Sequence, residues 1–277
     1  MENNPSGHVK STGFKQSNQG ASMGAEDLDP LGAKALAETT KIVADKAMTG
    51  VGAFLGKVCM PVAEEFGLLL QDKVKSWRAA NAVRIIEKAK ARLEQEGSTD
   101  PVHVHPRLAG KIIEKSSWVD ADHLQDMWAG LFASSCTPSG TDDSNLTFIN
   151  LLDQLTASEA RLVEFVCKGE QIHVSEHRLV LGDTQKMVPL DGLRKVTGIE
   201  SASELDIALD HLHGMGLLVL GSGFNFHSTP PVASLTPTAL CLNMFARTQG
   251  FTGDPYDFYE KLTPLATEIS PPSSRRL

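Results

Sequence analysis

The sequence is short of the residues and motifs that announce chemistry. Aromatics make up 6% of the chain, with two tyrosines and three tryptophans. Its four cysteines, Cys59, Cys136, Cys167 and Cys241, are scattered and form no Cys-x-x-Cys pair. The start, MENNPSGH, has no basic-then-apolar pattern. Together these predict a cytoplasmic protein with reduced, buried thiols rather than a disulfide framework or a structural zinc site. The phosphate-cradling G-x-x-x-x-G-K-[ST] loop, a G-x-G-x-x-G fingerprint and a G-x-S-x-G elbow are all missing. Gly221 and Gly223 sit where a turn is expected. No uninterrupted apolar run approaches the roughly 18–20 residues needed to cross a bilayer.

Nine histidines invite a search for metal ligands. His103 and His105 are two apart, and His173 and His177 are four apart, but neither pair belongs to a His-Glu-x-x-His motif. A metal needs three or four convergent donors, so these read as ordinary loop histidines. His211 and His213 point to different sides of an expected helix. No catalytic residue, cofactor, metal or small-molecule substrate is expected.

What the chain has is the means to build a large helical core. It has 277 residues, 41% of them hydrophobic and 22% charged, enough to bury a core without staples. The net charge of −8 is segregated. Residues 31–96 hold 11 basic and 8 acidic side chains, net +3, and the rest holds 15 and 26, net −11.

Residues 1–29 are polar and aperiodic and read as a disordered tail. Asp29 and Pro30 then open a modest helix. The most apolar stretch, residues 50–70, carries small residues and is interrupted by Lys57, Pro61, Glu64 and Glu65. It reads either as a buried helical hairpin or as an amphipathic, membrane-touching segment. Residues 68–96 read as one long helix with an apolar stripe through Trp77, Asn81, Ile85 and Ala89, which makes self-association reasonable. Its other side offers a candidate basic face: Lys73, Lys75, Arg78, Arg84, Lys88 and Arg92.

A short helix follows near 107–117. Asp120 is a plausible cap for a strongly amphipathic helix with Leu124, Met127, Trp128, Leu131 and Phe132 at helical spacings. A third helix covers 145–155. Thr156 and Glu159 form a capping-box pattern for a helix to Cys167. Residues 168–187 read as irregular. A helix at 201–215, a hairpin from Leu217–Leu220 through the glycine turn to Phe224–Phe226, and a helix from Thr236 to near Gly250 give the order of a winged-helix module. The expected fold is therefore mainly α: a helical domain at 30–155 with a long amphipathic helix, a winged-helix-like domain with a short hairpin at 156–250, and a partly disordered tail at 251–277 whose YDFY segment docks on the body.

Three stretches resemble the Abi-alpha family of bacterial proteins linked to abortive infection. They are GAKALAETT with the later ANAVRIIEKA; the helix DADHLQDMWAGLFASS; and FINLLDQLTASEA with LDHLHGMGLL and LTPTALCLNMF. Together they extend over roughly 31–249. The resemblance marks Asp122, Leu124, Gln125, Trp128 and Leu131 as signature positions. The late motif departs from the family pattern at Ala239-Leu240-Cys241. The family offers no catalytic residues to transfer, and the resemblance implies a role in phage defence.

In the signature helix, Leu124, Trp128 and Leu131 read first as core. Asp122, Gln125 and Asp126 lie on or beside its polar side and are candidate interaction residues. The leading expectation is a non-enzymatic defence protein acting through a protein partner, or at the inner membrane through 50–70 on activation. A nucleic-acid-binding regulator is the alternative. It is disfavoured at residues 201–215, which hold Glu204, Asp206 and Asp210 and no Lys or Arg, so it would have to use 71–92. An unrecognised hydrolase is a second alternative.

Overall fold

The computed structural model describes residues 49–69, 76–95, 101–169, 172–225 and 228–262. All belong to one compact unit, Asp45–Leu277. The expectations for the 1–29 tail, the helix after Pro30, Lys73, Lys75 and the last dozen residues lie outside the described residues.

Helix α1 covers 49–58 and is followed directly by α2 (Met60–Leu69). Val51, Leu55, Val58, Cys59, Val62 and Phe66 are buried in the core, while Gly50, Gly52 and Gly56 have open space beside them. Among the described residues, no helix is long and apolar enough to cross a membrane. Helix α3 (Ser76–Gln95) carries the second part of the expected long helix, and 70–75 lie outside the described residues. Asn81, Ala82, Ile85, Ile86 and Ala89 are buried, and Trp77 is not.

Helix α4 (Pro106–Ser116) begins with Pro106 at its first turn, and His105 Nδ1 accepts from the Arg107 N–H. That cap uses a lone pair the metal reading would have needed. A two-residue strand pair, β1 (His103–Val104) with β2 (Cys136–Thr137), ties the start of α4 to the end of α5 (Asp122–Ser134). The α5 N-cap is Ala121, not Asp120, and it makes no side-chain cap.

Helix α5 is buried from Leu124 to Ser134 at every position except Asp126. A helix apolar on all sides belongs at the centre of a domain. Helices α3, α4, α6 (Leu146–Leu152), α7 (Ala157–Cys167) and α10 (Ala239–Thr248) all pack against it. Trp128, Leu131 and Phe132 are fully buried there.

The capping box of α7 forms as its sequence pattern predicts, with Thr156 Oγ1 accepting from Glu159 N–H and Glu159 Oε2 accepting from Thr156 N–H. After α7 the expected irregular stretch instead contains an antiparallel hairpin, β3 (Ile172–Val174) with β4 (Val180–Gly182). Its strands have three residues each, too short for alternation to show. Then come β5 (Lys186–Pro189), α8 (Leu190–Thr197), α9 (Ala202–Gly214), β6 (Gly223–Asn225) and β7 (Val232–Leu235). Helix α8 escaped the sequence reading because it is eight residues long and contains Gly192. It ends on Gly198 in the left-handed region, with φ 74°.

The sheet order is β5-β7-β6, all antiparallel. With α7, α8 and α9 this is winged-helix topology. The hairpin pairs differently from expectation. Phe224 lies on the first strand and faces Ala233 on the second, while 217–220 contributes a single bridge, Leu218 with Pro237. The strand 232–235 was hidden behind Thr229, Pro230 and Pro231, which read as a loop.

Helix α10 starts from Thr238, whose Oγ1 accepts from Cys241 N–H. Helix α11 (Pro255–Leu262) folds the YDFY segment back onto it: Tyr259 is buried and its hydroxyl donates to Leu242 O at 3.1 Å.

The tightest contact is at Gly130 on α5. A Cβ there would lie 1.8 Å from Thr248 O and 2.2 Å from Arg92 Nη1. Alanine normally stabilises a helix interior by about 1 kcal/mol over glycine. At Gly130 the sign reverses, because overpacking costs about 1–3 kcal/mol. Gly130→Ala is expected to lower Tm by several degrees, whereas Gly110→Ala, on α4 with open space around it, leaves Tm unchanged or raises it. Thermal unfolding of the two variants checks this.

Candidate functional site

The signature helix spends its polar residues on holding the bundle. Gln125 is fully buried, which corrects its expected place on the polar side of α5. Its Nε2 donates to Val119 O at 2.8 Å and to Asn81 Oδ1 at 3.4 Å, and Asn81 Nδ2 donates to Ser117 O at 3.2 Å. The chain of contacts joins α3, α5 and the loop after α4. Gln125 escaped the sequence reading because helical periodicity shows one apolar face and cannot show that a second neighbour covers the other.

Asp122 and Asp126 do reach the surface. They share one cation, with Lys88 Nζ at 2.5 Å from Asp122 Oδ1 and 2.9 Å from Asp126 Oδ1. Partial burial works against the Lys88 charge, but hydrogen bonds and charge from both carboxylates outweigh it and leave its pKa raised. The same hydrogen bond, reinforced by charge, holds the Asp122 carboxyl below its ordinary value.

The candidate basic face is largely drawn into the fold. Arg78 donates through Nε and Nη2 to Ser117 Oγ, at 3.1 and 2.9 Å, and lies 4.0 Å from the centre of the Trp118 ring. Arg92 Nη1 donates to Thr248 O at 3.0 Å, and burial lowers its pKa. Lys88 is held by the two aspartates. Arg84 is the exposed member of the four that are described.

The histidines fall into structural places as well. His103 is paired with Thr137 in the β1–β2 ladder. His173 is on β3 and His177 in the following turn, so they do not share a helix face. His211 Nδ1 lies 2.7 Å from Glu159 Oε1, which joins α9 to the α7 cap. Among the described residues, no group of three or more His, Cys, Asp or Glu side chains is placed to hold a metal ion. Cys167 faces Cys241, with the sulfurs 3.5 Å apart, and all four cysteines are buried and outside any disulfide. Burial, with Cys241 alongside, pushes the Cys167 thiol well above its ordinary pKa, which makes it a poor nucleophile.

A second surface is the outer face of α9, the helix that follows α8 in the winged-helix order. Ser201 Oγ accepts from Glu204 N–H and starts the helix. Leu205, Ala208, Leu209 and Leu212 turn inward, and Glu204, Ile207 and Asp210 turn out. Ile207 is 65% exposed at the middle of that face, and Leu220, at the foot of the wing, is 86% exposed. Neither was singled out in the sequence. The spacing of 204, 207 and 210 becomes visible once the buried face of α9 is fixed.

These placements separate the two kinds of polar residue on α5. Gln125→Ala is expected to destabilise the fold by about 1–3 kcal/mol, because Asn81 on α3 and the Val119 carbonyl after α4 each lose a partner. Asp122→Ala is expected to leave the urea midpoint close to wild type. Equilibrium unfolding distinguishes the two; equal midpoints would contradict the structural role given to Gln125.

Residues 78–231 match the family model described as abortive infection alpha. No curated protein and no solved structure matches the chain. The matched stretch is more than half of the 277 residues and runs from the first turn of α3 through β6, taking in the signature helix and the α9 face. The chain therefore belongs to the abortive infection alpha family.

Proposed function

We propose that the protein is a non-enzymatic antiphage protein that acts by abortive infection, through a protein partner docked on the outer face of α9. One observation carries this reading. The helix that a DNA-reading winged helix would lay against phosphates here presents Glu204, Ile207 and Asp210, with Asp206 half-buried beside them and no Lys or Arg between 201 and 215. Carboxylates repel a phosphate backbone, while an exposed aliphatic ringed by charge suits a protein contact with a cationic rim.

The nucleic-acid alternative would have to use α3. There Arg78, Lys88 and Arg92 are engaged within the chain. On the apolar stripe of α3, Asn81, Ile85 and Ala89 are buried within the chain, and Trp77 stays exposed. Membrane insertion of 50–70 would require Leu55, Val58 and Phe66 to leave the core.

The test is phage challenge of cells expressing the gene at low and high phage-to-cell ratios. Protection at the low ratio with culture collapse at the high ratio is expected for the wild type. Ile207→Asp, on a solvent-facing position, is expected to keep the wild-type Tm and abolish protection. Full protection by a folded Ile207→Asp protein would rule out the α9 face as the working surface.

A further inference from the structure

A second exposed feature lies away from α9 and is independent of the reading above. Trp77, on the first turn of α3, is 47% exposed, and Trp118, in the loop after α4, is 60% exposed. Their ring centres are 6.5 Å apart and the planes are inclined by 58°. Arg78 lies over Trp118 and is itself fixed. Its Nε and Nη2 donate to Ser117 Oγ, and that hydroxyl in turn donates to Glu114 O at 2.7 Å. The side chain of Ser117 thereby anchors a cation against an indole that faces solvent. Two rings and a guanidinium held in this way form a preorganised patch that loses little entropy on contact.

The local sequence supplies more positive charge. Within α3, Ser76–Arg84 holds two basic side chains, Arg78 and Arg84, and no acidic one. Arg84 lies two helical turns beyond Trp77 and is exposed on the same side of α3. Glu114 and Asp120 flank Trp118 in sequence and are exposed, so the attraction rests on the α3 side of the patch.

We infer that the Trp77–Arg78–Trp118 patch is a peripheral contact for an anionic lipid bilayer. Indoles settle at the boundary between headgroups and acyl chains, where an apolar body and a polar N–H are both satisfied. Neighbouring Lys and Arg add attraction for anionic lipid. The chain's net charge of −8 opposes the approach only weakly at this distance, because charges beyond about 8 Å are screened at physiological salt. A single-stranded nucleic acid fits less well. Bases stack on open, parallel ring faces, whereas these rings are inclined and Arg78 covers one face of Trp118.

The test uses the full chain and two kinds of vesicle, phosphatidylglycerol mixed with phosphatidylcholine and phosphatidylcholine alone. Trp128 is fully buried, so changes in tryptophan emission report on Trp77 and Trp118. The expected result is a blue shift and co-sedimentation with the anionic vesicles, both reversed by high salt. Trp77→Gln with Trp118→Gln should abolish co-sedimentation. Arg84→Gln, at an exposed position remote from the core, should weaken it about fivefold and keeps the test informative should the double variant fold poorly. The inference is overturned by absence of binding, by binding that survives both sets of substitutions, or by an emission change that a single-stranded oligonucleotide produces and the vesicles do not.

Discussion

The carbonyl of Thr248 rests against the bare Cα of Gly130, and the arrangement of the bundle depends on that approach. A helix buried on all sides has no face left for a long side chain where another backbone crosses it. Helix α5 meets this with Ala129, Gly130, Ala133 and Ser134. The carbonyl that comes so close lies in the last turn of α10, where helical acceptors have no partner of their own. Arg92 reaches across from α3 to supply one. Three helices that begin 163 residues apart at the extremes are thus joined at one glycine. Burial works against the Arg92 charge, and the charge of Asp126 works the other way, so the signature helix also supplies the electrostatic counterweight for the cation that closes it.

The Thr156 capping box was legible because it needs only neighbours within one turn. The Asp120 cap was not, since the N-cap of α5 is Ala121 and carries no side-chain cap. Other misses needed distant partners. The β3–β4 hairpin is held at its turn by Arg178, which bonds Asp254 and Asp257 and lies over the Tyr256 ring. Those partners stand more than 70 residues away, and no pattern inside 172–182 reveals them. Helix α8 is anchored in the same way by Arg161 of α7, whose guanidinium donates to the carbonyls of Val196 and Thr197. Trp77 and Gln125 failed for a different reason. Periodicity assigns a residue to a side of its helix, but the number of neighbours decides whether that side is wet.

The candidate site was legible to the same degree. A basic helix and an acidic helix are compositional facts and both exist. Their availability is not compositional. On α3, cations were absorbed by Ser117, by Thr248 and by the Asp122–Asp126 pair, because a helix packed against α4 and α5, with the end of α10 in reach of Arg92, lies beside carbonyls and carboxylates that must be satisfied. On α9, the acids look outward because its inner face packs on apolar residues of the winged-helix module.

Topology alone does not say what a winged helix binds. The β5-β7-β6 sheet and α8 fix where the outer face of α9 sits, and its side chains choose the ligand. Replacing cations with Glu204, Asp206 and Asp210 inverts the sign of the long-range term that would otherwise draw in a phosphate backbone. Ile207 is 65% exposed, while Leu205, Leu209 and Leu212 fill the inner face of α9. At an exposed helix position a β-branched residue costs a few tenths of a kcal/mol relative to alanine, and a partner docked on the outer face, as proposed, would offset that cost.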